Sequence, residues 1–332
     1  MSKNIHGSVI VITGASSGIG RATALEFARR GAHVVVAARR EQPLNELIVE
    51  CQQLGVQAVA VPTDVTDEVV VQNLANTAVE KMGRIDVWLN NAGVSVFGRL
   101  DDIPTDVYRR VIETNLFGYI YGARAALRQF RIQGSGILIN NASMDSKIGA
   151  PYLSAYIASK FAIRGFSESL RQEVEVLDHA NIHVCTILPA TIDTPFFQHS
   201  ANYSGRAVKA LPPVYDVEMA AKLIANCAEK PRREVFVGGA GRMINILHKV
   251  SPGVAERMFA RQVDSGHLAQ DDSAPPSVGN LFEPMPEGNG VSGGWGGKEK
   301  TQVRRITTTG VVALVPALLF GIWAWQRQRN VE

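Results

Sequence analysis

Short apolar runs and longer amphipathic stretches alternate along the first 240 residues of the chain. The apolar runs predict buried strands over residues 9–12, 33–38, 58–61, 85–89, 182–188 and 234–237. The amphipathic stretches predict helices over residues 21–30, 43–54, 67–81, 104–131, 152–177 and 216–229. This alternation predicts an α/β fold of the doubly wound, Rossmann-like kind, in which helices cover both faces of a parallel sheet in three layers.

A glycine-rich turn joins the first predicted strand to the helix that follows it. Residues 13–20 read TGASSGIG, so the glycines have the spacing GxxxGxG, which differs from the common GxGxxG. Such a turn lets the backbone approach a pyrophosphate at the positive end of the helix. Glycine-rich turns are weak indicators alone, but the flanking strand and helix supply the context that dinucleotide binding requires.

Two arginines, Arg39 and Arg40, follow the second predicted strand. In a dinucleotide-binding fold this position meets the adenosine ribose, where an acidic residue favours NAD and an arginine suits a 2′-phosphate. Ala38 stands where an acid would bind the ribose, so the sequence predicts NADP(H). The alternative is that both arginines only cap a strand in solvent.

Tyr156 and Lys160 are four residues apart in a predicted helix, with Ser143 upstream of them. Residues at this spacing share one helix face. A nearby cation favours the phenolate and lowers the pKa of a tyrosine, which makes it usable as a general acid or base. YxxxK also occurs in ordinary amphipathic helices. This spacing therefore indicates a catalytic pair only in combination with the other motifs.

Taken together and in this order, these motifs resemble those of the short-chain dehydrogenase/reductase family, over about residues 5–240. The resemblance adds the segment NNAG at 90–93, the pair Asp64 and Val65, and a PGxxxT-like segment at 189–194 in which Ala190 replaces the glycine. It implies a catalytic set of Asn115, Ser143, Tyr156 and Lys160. With the arginines, the expected cofactor-binding residues are Gly14, Ser16, Ser17, Gly18, Ile19, Gly20, Arg39, Arg40, Asp64, Val65, Asn91, Ala92, Gly93, Tyr156, Lys160, Pro189, Ile192 and Thr194.

The resemblance also implies a mechanism. Tyr156 protonates the oxygen of a carbonyl as hydride arrives, Ser143 polarises that carbonyl, Lys160 holds the nicotinamide ribose, and Asn115 holds a water. The reverse reaction oxidises a secondary alcohol. Family members commonly form homodimers or homotetramers, so a homo-oligomer is expected. The alternative function is a non-catalytic NADPH-binding sensor or scaffold at a membrane.

Composition narrows the classes of partner. A formal net charge of +3 with no basic run argues against nucleic-acid binding. Cys51, Cys185 and Cys227 lie in predicted elements without CxxC spacing, so they are interpreted as small buried residues and no metal is expected. The region 195–213 mixes aromatic and polar side chains and is the expected substrate loop, suited to a mainly apolar carbonyl or alcohol.

Beyond the catalytic domain (residues 1–240), three further segments are expected. Residues 241–263 predict a helical extension, which either packs as an ordinary C-terminal helix or borders the substrate cleft or lipid. Residues 264–305 are rich in glycine, proline and serine and predict a flexible linker.

The last segment, residues 306–326, predicts a transmembrane helix. Residues 310–325 contain no charged side chain, and basic residues stand on both sides of them. The short, polar stretch of residues 1–7 predicts no signal peptide. We therefore expect a single-pass C-terminal anchor in the lipid bilayer, with the catalytic domain on the cytoplasmic side.

Overall fold

A parallel sheet forms the centre of the computed structural model, which describes residues 4–178, 181–299 and 301. The strands in chain order are β1 (Val9–Thr13), β2 (His33–Ala38), β3 (Ala58–Pro62), β4 (Val87–Asn90), β5 (Val96–Phe97), β6 (Ser135–Asn141), β7 (Asn181–Pro189), β8 (Ala201–Asn202), β9 (Arg206–Val208), β10 (Glu234–Val237) and β11 (Leu268–Ser273). The helices are α1 (Gly18–Arg29), α2 (Glu41–Gln53), α3 (Glu68–Met82), α4 (Thr105–Ile112), α5 (Gly118–Gln133), α6 (Ser154–Glu173), α7 (Phe196–His199), α8 (Val217–Glu229), α9 (Gly239–Val250) and α10 (Pro252–Gly266).

The central sheet has seven strands in the order β10-β7-β6-β4-β1-β2-β3, all paired in parallel. One apolar core packs α1, α2 and α8 against one face, and a second packs α3, α5 and α6 against the other. Both faces are buried because the strands carry continuous apolar runs, such as Val9–Thr13. The predicted Rossmann-like α/β fold is confirmed.

The structure adds one central strand and two interruptions to the predicted elements. The pattern left β6 unassigned, although it lies between β4 and β7 in the sheet. The predicted helix over 104–131 is divided by a π-helical turn, Glu113–Phe117, and α6 continues into a second, Val174–Asp178. Such turns are frequent at functional sites because they redirect side chains. Here the first of them places Asn115 in the interior, where it is 0 % exposed.

The described part of the expected linker is packed, not flexible. After α10, β11 pairs in antiparallel fashion with β9, and residues 277–297, called here the C-terminal strap, lie along the cleft at the top of the sheet. The strap is held by hydrogen bonds between its backbone and side chains of the catalytic domain, for example those of Arg39, Arg40 and Asp193. Composition predicted a flexible linker because this segment has little apolar periodicity. The hydrogen bonds that hold the strap do not require such periodicity.

None of the helices within residues 4–178, 181–299 and 301 is long and apolar enough to cross a membrane. The segment 306–326, where the sequence predicts a transmembrane helix, lies outside the described residues.

Candidate active site

One cleft at the carboxyl ends of the strands brings the predicted site residues together. It has a cavity volume of about 320 Å³ and lies over the gap between β1 and β4, where the strand order reverses and open α/β sheets bind ligands. Among its lining residues are Gly14, Ser16, Ser17, Gly18, Ile19, Arg39, Arg40, Asp64, Val65, Asn91, Ala92, Gly93, Ser143, Tyr156, Lys160, Pro189, Ile192 and Thr194. Gly20 and Asn115 are buried behind its wall.

The glycine-rich turn is shaped by contacts that exclude side chains. Gly14 has a φ of +66°, in the left-handed region, and a Cβ there would lie 2.6 Å from Cα of Ala92. A Cβ on Gly20 would lie 2.3 Å from the carbonyl oxygen of Gly14. Asn91 supports the same turn, since its Nδ2 donates to the carbonyl oxygens of Thr13 at 3.0 Å and Gly14 at 3.1 Å. These contacts let a phosphate approach the start of α1 closely.

At the β2 end of the cleft, the two arginines face the strap. Arg39 donates to the carbonyl oxygens of Leu281 at 3.2 Å and Phe282 at 2.9 Å, and Arg40 donates to those of Met285 at 3.0 Å and Glu287 at 2.9 Å. The sequence predicted that both guanidinium groups lie in the cofactor cleft, but it did not indicate their hydrogen bonds to carbonyl oxygens of the strap.

Asp64 lies beside Arg39 at the same end. Its Oδ2 accepts a hydrogen bond from Arg110 at 2.9 Å, and its Oδ1 accepts two from Thr66. Burial acts to raise the pKa of Asp64, but the bonds from Thr66 and Arg110 outweigh it, so the pKa is lowered. The carboxylate is therefore charged at neutral pH and helps to balance the surrounding arginines.

Helix α6 presents Tyr156 and Lys160 on one face, as their spacing predicted. The ammonium of Lys160 lies 5.5 Å from the centre of the Tyr156 ring and donates to the carbonyl oxygen of Asn141 at 3.0 Å. Lys160 is 4 % exposed, and burial lowers its pKa to about 7 while the charge of Asp145 acts to raise it. The lysine is thus partly neutral at physiological pH.

The pKa of Tyr156 is shifted in the direction opposite to the expected one. Burial raises it well above the usual range, the charge of Asp145 adds to that increase, and a hydrogen bond with Ser143 opposes it. Lys160 cannot reverse these effects because it is itself buried and holds its proton weakly. Tyr156 is consequently a neutral phenol, in the state required of a proton donor.

Asp145 is a site residue that sequence reasoning missed. Its Oδ2 accepts a hydrogen bond from the Ser143 hydroxyl at 3.1 Å, and its backbone N–H donates to the same hydroxyl at 3.0 Å. Burial raises the pKa of Asp145 to about 6, against the effects of Ser143 and Lys160. The available signal was Ser-x-Asp at the start of a short helical turn, Met144–Ser146, where a serine caps the backbone.

Asn115 has a different position from the other three catalytic candidates. Its Oδ1 accepts from the backbone N–H of Val94 at 2.9 Å, and its Nδ2 donates to the carbonyl of Val94 and the hydroxyl of Ser159, both at 3.0 Å. These bonds fix the segment that leaves β4 against α6. Asn115 therefore positions the floor of the cleft.

The predicted PGxxxT-like segment lies at the far end of the cleft. The Thr194 hydroxyl donates to the carbonyl of Ile192 at 3.5 Å, and the carboxylate of Asp193 accepts from the backbone N–H groups of three strap residues at 2.9–3.0 Å. Beyond it the cleft is mainly apolar. The apolar side chains there include Ile148, Leu153, Phe196, Phe197, Leu211, Ile244 and Phe259.

The residues around the cleft are suited to hold a nicotinamide dinucleotide. The turn at Gly14 and Gly20 forms a cradle that a Cβ would fill. Two buried side-chain oxygens that border the cleft, Oδ1 of Asn141 and Oδ1 of Asn280, have no hydrogen-bond partner among the described residues. Buried polar atoms normally have partners, so both are available to a ligand. The glycine-rich turn, Arg39, Arg40 and Lys160 are the groups that would hold the cofactor.

Comparisons with known proteins agree with this geometry. The model of the family described as short chain dehydrogenase matches residues 8–204. The chain is 35% identical over 327 residues to the uncharacterized oxidoreductase YxnA of Bacillus subtilis, an alignment that covers 97% of this chain and 91% of that protein.

Two solved structures share the fold. A short chain dehydrogenase/reductase from Burkholderia phymatum in complex with NAD superposes with a TM-score of 0.69 at 24% identity, over 76% of this chain and 96% of the other. An alcohol dehydrogenase from the archaeon Thermococcus sibiricus, complexed with 5-hydroxy-NADP, superposes with a TM-score of 0.61 at 26% identity, over 69% and 95%. The chain therefore belongs to the short-chain dehydrogenase/reductase family and is an oxidoreductase.

Proposed function

We propose that this protein interconverts a carbonyl and a secondary alcohol on a lipophilic substrate, with NADP(H) as cofactor and Tyr156 as general acid and base. The observation that carries the proposal is the meeting of Ser143, Tyr156 and Lys160 in the cleft that also contains the glycine-rich turn and both arginines. A sensor or scaffold without turnover is not favoured. Binding of the cofactor alone does not require the Ser143 hydroxyl and the Tyr156 phenol to be placed together.

The residues divide the chemistry among them. The bound cofactor supplies hydride to the carbonyl carbon, or accepts it in the reverse direction. The neutral phenol of Tyr156 donates its proton to the carbonyl oxygen as charge develops there. Ser143 stabilises the same oxygen by a hydrogen bond, for which its hydroxyl turns away from Asp145. Lys160, while protonated, stabilises the phenolate that Tyr156 leaves behind.

The lining of the far end of the cleft supports a lipophilic substrate. Phe196 packs its ring 5.6 Å from that of Tyr156, and Phe197 packs against Phe196 at 5.5 Å. Helices α9 and α10 complete this wall with Ile244 and Phe259. A ketone carried on an apolar body would bury that body here while its oxygen meets Tyr156 and Ser143.

The activity is tested by NADPH consumption in the presence of apolar ketones and aldehydes. Turnover of at least one of them is expected, with the purified full-length protein kept in detergent. Tight NADPH binding with no turnover on any member of a broad panel would support the sensor instead.

Replacing Arg39 with alanine tests the cofactor. The proposed contact between its guanidinium and the 2′-phosphate is a hydrogen bond between charged groups, worth about 1.5–3 kcal/mol, so KM for NADPH should rise about ten- to a hundredfold. KM for NADH should change little. Arg99→Ala is the control, because that side chain is 70 % exposed. Equal effects of Arg39→Ala on both cofactors would show that the arginine is structural.

We also propose that residues 307–326 anchor the protein in a membrane, with the catalytic domain on the cytoplasmic side. The proposal rests on the uncharged run 310–325 and its basic flanks. The full-length protein should resist extraction by alkaline carbonate, and Leu318→Arg should release it, because a central charge costs about 2.5–3.5 kcal/mol on insertion scales. Extraction of the unaltered protein by salt alone would contradict a spanning anchor.

A homo-oligomer is proposed as well. Three large apolar side chains in the segment from α4 to α6 are exposed in the single chain: Phe117 by 44 %, Ile132 by 81 % and Phe161 by 42 %. A contact between subunits would bury side chains of this kind. Sedimentation of the full-length protein in detergent would test this.

A further inference from the structure

The C-terminal strap follows the path that the cofactor itself would take. Its first part contacts Arg110, the partner of Asp64, and then the two arginines after β2. The carbonyl oxygen of Gly290 next accepts the backbone N–H of Gly18, at the start of α1, at 3.0 Å. Residues 292–297 finally reach Asp193 and Thr194. The strap therefore lies beside the adenosine, pyrophosphate and nicotinamide ends of the cleft in turn.

The strap engages the nitrogens that a 2′-phosphate would need. Both terminal nitrogens of Arg39 donate to strap carbonyls, Nη1 to Leu281 and Phe282 and Nη2 to Asn280. Nη1 of Arg40 donates to strap oxygens too, while its Nη2 donates to Ser16 at 3.2 Å. An NADP(H) phosphate at this end of the cleft meets guanidinium groups that already have partners.

The partners on the strap are neutral oxygens, whereas the 2′-phosphate is an anion. A phosphate attracts a guanidinium through its opposite charge in addition to hydrogen bonds, and Arg–phosphate pairs are frequently bidentate. The phosphate can therefore displace carbonyl oxygens, but part of its binding energy is lost in doing so. NAD(H) carries a neutral hydroxyl at this position and does not compete with strap residues 280–289 for the two guanidinium groups.

We propose that residues 280–289 of the strap determine cofactor choice by competing with the 2′-phosphate of NADP(H) for Arg39 and Arg40. The inference rests on the proposed function, since it requires NADP(H) to bind in this cleft. In this arrangement the strap lowers the affinity for NADP(H) relative to that for NAD(H). Loosening the strap should therefore raise the affinity for NADP(H) relative to that for NAD(H).

Gly279 offers a way to loosen the strap without altering a group in the cleft. It has a φ of +51°, and a Cβ on it would lie 2.3 Å from the carbonyl oxygen of His199. The matched control is Gly205, which has a φ of +73° but no other atom within 4 Å of a built Cβ. Both alanine variants carry the backbone strain of a positive φ, and only Gly279→Ala displaces the strap.

The dissociation constants of NADP⁺ and NAD⁺ are measured with full-length protein by titration calorimetry. Gly279→Ala should lower the dissociation constant of NADP⁺ about tenfold, the effect of removing one or two competing hydrogen bonds, and leave that of NAD⁺ within about twofold. Gly205→Ala should change neither. Equal weakening of both cofactors in Gly279→Ala would overturn the proposal, because the strap would then be a passive wall.

Two further measurements separate this proposal from the proposed function. Arg39→Ala in the Gly279→Ala protein should abolish the gain for NADP⁺. If Arg39→Ala weakens NADP⁺ in the unaltered protein but Gly279→Ala brings no gain, the competition is overturned and NADP(H) dependence stands. If Arg39→Ala affects neither cofactor, the NADP(H) preference fails and the competition fails with it.

Hydrogen exchange of the unaltered protein gives a result that does not depend on any variant folding. Amides of residues 282–290 should exchange several-fold faster with NADP⁺ bound than with NAD⁺ bound, because the phosphate takes Arg40 from them. Equal protection of this segment in the two complexes would overturn the proposal.

Discussion

Phenylalanine at position 156 should lower kcat for carbonyl reduction by about 10²–10⁴-fold, the usual effect of removing a general acid. The ring would remain packed against Phe196, so the shape of the cleft and the binding of NADPH should be kept. Only the proton donor is lost. The measurement is steady-state turnover together with the dissociation constant of NADPH for both proteins.

Tyr152→Phe is the control for this variant. Tyr152 stands four positions before Tyr156 in the sequence, but it is not among the residues that line the cleft. Its hydroxyl donates to the carboxylate of Asp264 at 2.9 Å. Its loss should leave kcat within about twofold, since it removes one partly buried hydrogen bond outside the cleft, worth about 0.5–1.5 kcal/mol of stability. If Tyr156→Phe retained the turnover of Tyr152→Phe, the assignment of Tyr156 as proton donor would be wrong.

Ser143→Ala should reduce kcat by about 10²–10³-fold, because one preorganised donor to the developing oxyanion is removed. The same change deletes the hydrogen bond to Asp145 and the cap of the turn Met144–Ser146. Loss of that cap costs about 1 kcal/mol of stability, which is small beside the catalytic effect. The rate should therefore fall at temperatures far below the unfolding transition.

A serine nearby supplies the comparison for Ser143→Ala. Ser154 is at the start of α6, and its hydroxyl is buried with no partner among the described residues. Ser154→Ala should keep full turnover and lose no hydrogen bond. Equal losses in the two variants would indicate that serine hydroxyls in this region serve folding, and Ser143 would no longer be a catalytic candidate.

The local sequence was sufficient to predict the elements that depend on the pattern of apolar residues and on the backbone freedom of glycine. Buried strands such as Val9–Thr13 are continuous apolar runs, and α1 begins directly after the turn that contains Gly14 and Gly20. Strand β6 was missed even though its residues Ser135–Asn141 include an apolar stretch. A short run of that kind is ambiguous until neighbouring strands pair with it.

The chemistry of the site was predictable only in part. The spacing of Tyr156 and Lys160 placed both on one face of α6, and the order of motifs indicated a dinucleotide cleft. The protonation of these residues depended on burial and on Asp145, whose approach to Ser143 follows from a turn after β6. A pKa reflects the whole surroundings of a group, so sequence neighbours alone gave the wrong direction for Tyr156.

The sequence by itself determined the α/β alternation, the glycine-rich turn and the placement of Tyr156 and Lys160 on one helix face, because each depends on local periodicity or backbone freedom. Tertiary structure alone decided the path of residues 277–297. That segment has little apolar pattern, and its position comes from hydrogen bonds to Arg39, Arg40 and Asp193, residues far away in the chain. Contacts between a backbone and distant side chains leave no periodic signal in a sequence.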